Sequence, residues 1–246
     1  MLRSSATGLL LFLSLPRMAD ANEVGPWETV VEKDGITVKR RSIGGSSLKE
    51  FQGRGMVEEP LSAVLALLLD SSVRHEWSAK CVESRLIAQV EPRAQLIYDR
   101  TDAPWPVSDR DTVLLARTAV DLNARELRIQ FVNVKDARQP PVAGVVRMPL
   151  VEGHWVLRPA HGGAWTDTEY QVHADPGGAL PDWLSNLVSK QVPLKTLQQL
   201  RAQMKKRRYP EVEATIKAQP DYQALMGSPT PQVASPQAAP VVPVAH

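Results

Sequence analysis

The chain has one cysteine, Cys81, among 246 residues. An internal disulfide is therefore excluded in any compartment, and stability must come from a packed core. Charge of one sign is not in excess either: 29 Lys+Arg face 27 Asp+Glu, a formal net charge of +2. That balance argues against a broad nucleic-acid-binding surface, which needs surplus basic residues. After the N-terminus no stretch stays apolar for the ~20 residues of a membrane-spanning helix; the longest, PLSAVLALLLDSS, is interrupted by Asp70. Catalytic and cofactor signatures are missing as well. There is no G-x-S-x-G nucleophile turn, no P-loop and no dinucleotide glycine pattern. His154, His161 and His173 have no acid or cysteine at a metal-ligand spacing. Neither a metal, a cofactor nor catalysis is expected.

What is present begins with the N-terminus, MLRSSATGLLLFLSLPRMADA. Arg3, the apolar run Gly8 to Leu15 and the small-x-small Ala19-Asp20-Ala21 read as a signal peptide over residues 1–21, cleaved after Ala21. The mature chain is expected to be exported, periplasmic or secreted. GPWETVVEKDG reads as a short helix with Pro26 in its first turn, closed at Gly35. ITVKRRS and LKEFQGRGMV alternate like strands around a GGSS turn. EPLSAVLALLLDSSVRHEW has helical spacing. A series of strand-like runs follows from Val82 to Ala174, joined by links too short for crossover helices, so an antiparallel sheet of about seven to nine strands is expected. LPDWLSNLVSKQVPLKTLQQLRAQMKKRRY then reads as a long amphipathic helix with Pro193 inside it. A weaker helical extension covers 210–226, and residues 227–246, rich in Pro and Ala, read as a disordered tail. The plan is α+β: a curved antiparallel sheet wraps one long C-terminal helix, with space between them for a ligand.

Three stretches carry a resemblance. PWPVSDRDTVLL is similar to an aromatic-Pro-x-Ser-x-Arg-Asp segment entering a central strand. DPGGALPDWLSNLVSKQVP is similar to a turn that leads into a C-terminal helix, and DSSVRHEW to an Asp-x-x-x-Arg-x-x-Trp segment closing a first long helix. In this order they resemble the START domain, the lipid-transfer module related to steroidogenic acute regulatory protein, over about residues 25 to 208. The domain is assigned to residues 22–209. The resemblance implies the helix-grip fold and a tunnel holding a single lipid or other hydrophobic ligand, such as a sterol, fatty acid or phospholipid, gated by the C-terminal helix. No nucleic-acid partner is implied, and a monomer is expected.

The resemblance also nominates residues. In the phospholipid-binding branch the arginine matching Arg74 bonds the lipid phosphate, which suits the planar fork of a guanidinium. The acid that follows the Trp in that branch is Ser78 here, so Arg74 reads equally as a ligand group or as an exposed arginine at a helix end. Arg110 is a second ligand candidate, although a structural pair with Asp111 at the strand start is the stronger reading. Choline-binding members use an aromatic cage; the matching positions, Asp99, Thr112 and one near Val151, are not aromatic. Trp183 is placed to cap the tunnel, and Leu184, Leu187, Val188 and Val192 to roof it. Trp77 and Trp105 are expected in the core. The basic run Lys205–Tyr209 reads first as a partner of the helix dipole and second as a patch for transient contact with a membrane surface. Two other functions stay open: a helix-grip cyclase or hydrolase using Asp99, Arg100 and Asp102, and a periplasmic adaptor for another protein.

Overall fold

Asp34 and Gly35 both have positive φ, 53° and 65°, the geometry of a two-residue hairpin turn. They join β1 (Glu28–Lys33) to β2 (Ile36–Ser42), antiparallel with Lys33 opposite Ile36. The short helix expected before Gly35 is therefore a strand. The β-branched run Thr29 to Val31 and the Asp-Gly turn outweigh Pro26 as a helix start. This computed structural model describes residues 24–178, 182–206 and 208–227, and only the backbone of 182–190. The signal-peptide reading and the tail from residue 228 lie outside the described residues.

The chain continues through β3 (Lys49–Val57), α1 (Leu61–Leu69), β4 (Cys81–Glu91), β5 (Ala94–Thr101), β6 (Arg110–Asp121) and β7 (Glu126–Asn133). Then come β8 (Val146–Arg147), β9 (Leu150–Ala160), β10 (Trp165–Asp175) and α2 (Asp182–Met204). The strand order is β1-β2-β3-β10-β9-β7-β6-β5-β4, antiparallel along its length, and the two-residue β8 pairs parallel with the start of β6. The sheet has ten strands, more than expected because β1 read as helix and β8 is too short to show a period.

Every residue of α1 from Leu61 to Leu68 is buried, as befits a helix apolar on all sides. The expected helix through Trp77 stops earlier, at Leu69. The Asp70 carboxylate accepts from the Ser72 amide at 3.1 Å and opens a 3-10 turn over Ser71–Glu76, a side-chain bond that competes with helix continuation. That turn sets Arg74 and Trp77 over the sheet. The long helix α2 lies on β3 where that strand has no side chain: a Cβ on Gly53 would stand 3.0 Å from Pro193 Cβ and 3.1 Å from Leu197 Cδ1. Leu197, Leu200 and Met204 are fully buried along it, and Arg201 donates to the carbonyls of Asp34 and Met56.

The extension forms two helices, α3 (Pro210–Lys217) and α4 (Pro220–Gly227). Pro220 cannot continue the ladder of α3 and starts α4 instead. Ile216, Tyr222 and Leu225 are buried, so these helices belong to the same core. Among the described residues no helix is long and apolar enough to cross a membrane.

Candidate functional site

Side chains alternate across each strand, and one face of β5, β6, β7, β9 and β10 points to the interior under α2. Asp99 on β5 stands opposite Thr112 on β6. These two, with Phe131, Trp155, Tyr170 and Val192, are among the residues enclosing a cavity of 240 Å³. Its lining combines an apolar wall with a buried polar cluster and with charged residues, Lys49, Asp102 and Arg110, among the others.

The apolar wall is aromatic. Trp155 and Tyr170, cross-strand neighbours, stack with centroids 4.4 Å apart, and Phe131 lies 6.2 Å from Tyr170. Trp77 meets Trp155 edge-on at 6.0 Å. Gly153 sits opposite Phe131, and a Cβ there would come 2.7 Å from Phe131 Cζ. The missing side chain lets the Phe131 ring cross toward Tyr170. Phe131 and Tyr170 were not nominated from the sequence. Their signal was the inward phase of their strands, which becomes a shared wall only once β7, β9 and β10 are known to be adjacent.

The polar cluster is built by Arg74, Asp99 and Thr112. Arg74 Nη1 is 3.5 Å from Asp99 Oδ2. Arg74 Nε, Asp99 Oδ1 and Thr112 Oγ1 are buried with no hydrogen-bond partner in the protein. Buried polar groups are seldom left unpaired. Arg74 is thus not a solvent-exposed helix-end arginine; its side chain is 16% exposed and faces the cavity. Cys81 also lines the cavity, and burial pushes its thiol up to about 12. It stays protonated at neutral pH and is a poor nucleophile. Burial likewise pushes the Tyr170 hydroxyl up to about 12.

Arg110 lies at the mouth. Its guanidinium donates to the carbonyls of Ser108, Pro176 (3.4 Å) and Gly177 (3.3 Å), and burial lowers its pKa. It clamps the loop entering α2, where Gly177 and Gly178 have φ of 65° and 71°. Arg110 and Asp111 do not pair: they point to opposite faces of β6, and Asp111 pairs instead with Arg147 at 2.7 and 3.0 Å. Trp105 is 91% exposed rather than in the core. It stands between Pro104 and Pro106 in the β5–β6 loop, outside the sheet, where no core side chain can reach it. Of Asp99, Arg100 and Asp102, Arg100 turns outward to Asp109 at 2.7 Å, whereas Asp99 and Asp102 both line the cavity, Asp102 at its rim and paired with Lys80.

Val192 and Pro193 line the cavity from α2; the side chains of Trp183, Leu184, Leu187 and Val188 lie outside the described residues. His173, which alternates with surface-type residues in the sequence, is buried between Ser46 and Glu152. Among the described residues no three His, Cys, Asp or Glu side chains gather as metal ligands. At the end of α2, Arg208 donates to the Met204 carbonyl and to Glu59, a helix-terminus contact.

The sequence model of the START domain matches residues 14–208. The chain belongs to the START family. Its curved antiparallel sheet closed by C-terminal helices is the START helix-grip fold. A structure of the STAR-related lipid transfer protein from Xanthomonas axonopodis superposes with a TM-score of 0.66 at 31% identity, covering 73% of this chain and 98% of that one. An uncharacterized protein of Pseudomonas aeruginosa is 32% identical over 181 residues, 74% of this chain and 88% of the relative. The human phosphatidylcholine transfer protein is 26% identical over 182 residues, 72% of this chain and 81% of its own. In this START domain the cavity lies between sheet and α2, and α3 and α4 follow the matched segment.

Proposed function

We propose that the protein binds one lipid in the internal cavity, without chemistry on it, and carries it between membrane surfaces. The observation that carries this reading is a buried polar cluster beside the aromatic wall of the cavity. There a donor (Arg74 Nε), an acceptor (Asp99 Oδ1) and a hydroxyl (Thr112 Oγ1) are all buried without a hydrogen-bond partner in the protein. Arg74 and Asp99 offset each other's charge, so the site favours a polar group that both donates and accepts, such as a lipid hydroxyl. Choline fits less well. Asp99, Thr112 and Val151 all line the cavity without an aromatic ring, so the positions that would carry a choline cage supply none. The names of the relatives support lipid transfer in general, although one of them is a phosphatidylcholine transfer protein. The outward turn of Arg100 and the rim position of Asp102 speak against a catalytic cluster.

The test is native mass spectrometry of the purified chain after incubation with sterols, fatty acids and phospholipids. One class should be retained at one molecule per chain. Arg74→Ala should weaken that class by one charged hydrogen bond, ~1.5–3 kcal/mol or roughly 10- to 150-fold. Unchanged binding of every class by the variant removes Arg74 from the site.

For the membrane contact we propose Trp105, an amphipathic ring of the kind that settles at headgroup level. It stands near the mouth that Ala103 and Lys49 line. Trp105→Ala should slow transfer between vesicles several-fold while leaving the retained lipid in place. Equal transfer rates would exclude it.

A further inference from the structure

The concave face of the sheet does not end at the polar cluster. Asp99, Thr112 and Phe131 line the cavity already described, whereas Ile97 on β5, Ala116 on β6 and Ile129 on β7 line a second cavity of 200 Å³. The same three strands run through both. Four residues of strand separate Thr112 from Ala116, a rise of about 13 Å. Arg74 lines both cavities and stands at their partition.

The second cavity owes its outer wall to the chain beyond residue 208, where the family match stops. Ile216 of α3, Gln219 between the helices and Tyr222 of α4 face Leu65 and Leu68 of α1 across it. The cover is fastened at the rim: Arg93 donates to both carboxylate oxygens of Asp221 and, at 3.0 Å, to Gln219 Oε1. Gln89, also at the rim, donates to the carbonyls of Glu91 and Ala94. Arg93 and Gln89 are thus engaged with the protein, and the inner wall joins the aliphatic side chains of Leu65, Leu68, Ile97, Ile129 and Ile216 to the polar ones of Gln95 and Thr118.

We propose that this second cavity receives the end of an unbranched alkyl chain whose polar group rests at Arg74, Asp99 and Thr112. The helices α3 and α4 then set the length of chain that the protein accepts. The inference rests on the lipid-binding reading above and adds to it where the tail lies and what limits it.

The experiment uses the full chain and straight-chain alcohols from 1-decanol to 1-octadecanol. Affinity should rise by up to about fourfold per methylene until the cavity is full, then level off. Ala116→Leu, which fills the cavity from β6, should level off at a shorter alcohol and bind the longest one at least about tenfold more weakly. A second measurement needs no variant. 1-Hexadecanol with a terminal diazirine, photolysed on the wild-type chain, should label peptides holding Leu65 to Leu69 or Ile216 to Tyr222. Labels confined to the peptides of Val172 and Val192, with the same levelling point in both proteins, overturn the tail site and leave the carrier reading standing. If no alcohol or other lipid binds the wild-type chain, the carrier reading falls and the tail site with it.

Discussion

Arg147→Ala should cost about 3–5 kcal/mol of folding stability, the cost of leaving a buried charge without its partner. Asp111 has a side chain only 1% exposed, and Arg147 meets both of its carboxylate oxygens. The two residues are 36 apart in sequence but direct partners in the sheet: Arg147 lies on β8, two residues long, which pairs parallel with the start of β6. The ion pair, together with the Arg147 bonds to the carbonyls of Gln139 and Pro140, fastens that segment beside the cavity mouth. Thermal unfolding followed by circular dichroism should show a fall of roughly 6–20 °C. Arg138→Ala is the control. Its pair with Asp136 is exposed and should be worth less than about 1 kcal/mol. A comparable loss in both variants would show that burial is not what makes the Asp111 pair matter.

Trp77→Ala should be as damaging, about 3–5 kcal/mol. The indole is 1% exposed, meets Trp155 edge-on, and forms part of the cavity wall. Its Nε1 has no hydrogen-bond partner in the protein, so the loss is one of packing and not of a polar contact. Trp77→Phe separates the two causes. It keeps an aromatic ring against Trp155 and removes the unpaired donor, so it should retain more than half of the stability lost by the alanine variant. Chemical denaturation of the three proteins measures this directly. If phenylalanine is as destabilising as alanine, the indole nitrogen carries a contact that the packing account omits.

Periodicity and turn chemistry made much of the fold legible. The β2–β3 hairpin, the strands from Cys81 to Asp175 other than β8, and the long helix with Pro193 inside it stand where their patterns put them. The failures share a cause. GPWETVVEKDG contains both a helix-start proline and an Asp-Gly hairpin turn, and β1 forms because β2 offers it a paired edge. Trp105 read as core because large aromatics usually are, yet two flanking prolines hold it off the sheet. Arg110 and Asp111 are neighbours in sequence and therefore opposites on a strand.

At the site the division is similar. The resemblance singled out Arg74, and the same comparison pointed to Asp99 and Thr112 as positions without a cage. What Arg74 faces is another matter: its partner lies 25 residues away on a different element. The Phe131–Tyr170–Trp155 wall needs three strands brought together and a glycine, Gly153, beneath one ring. The cover that α4 places over the end of β6 joins Arg93 to Asp221, 128 residues apart.

The sequence by itself determined the secondary structure of most segments and the family, and singled out Arg74, because these rest on patterns a few residues long. Only the tertiary structure decided which buried polar atoms go unpaired, which rings share a wall, and that a second cavity lies beyond Arg74 beside α3 and α4. Those properties depend on strand order and register, which bring distant residues within contact and leave no local pattern behind.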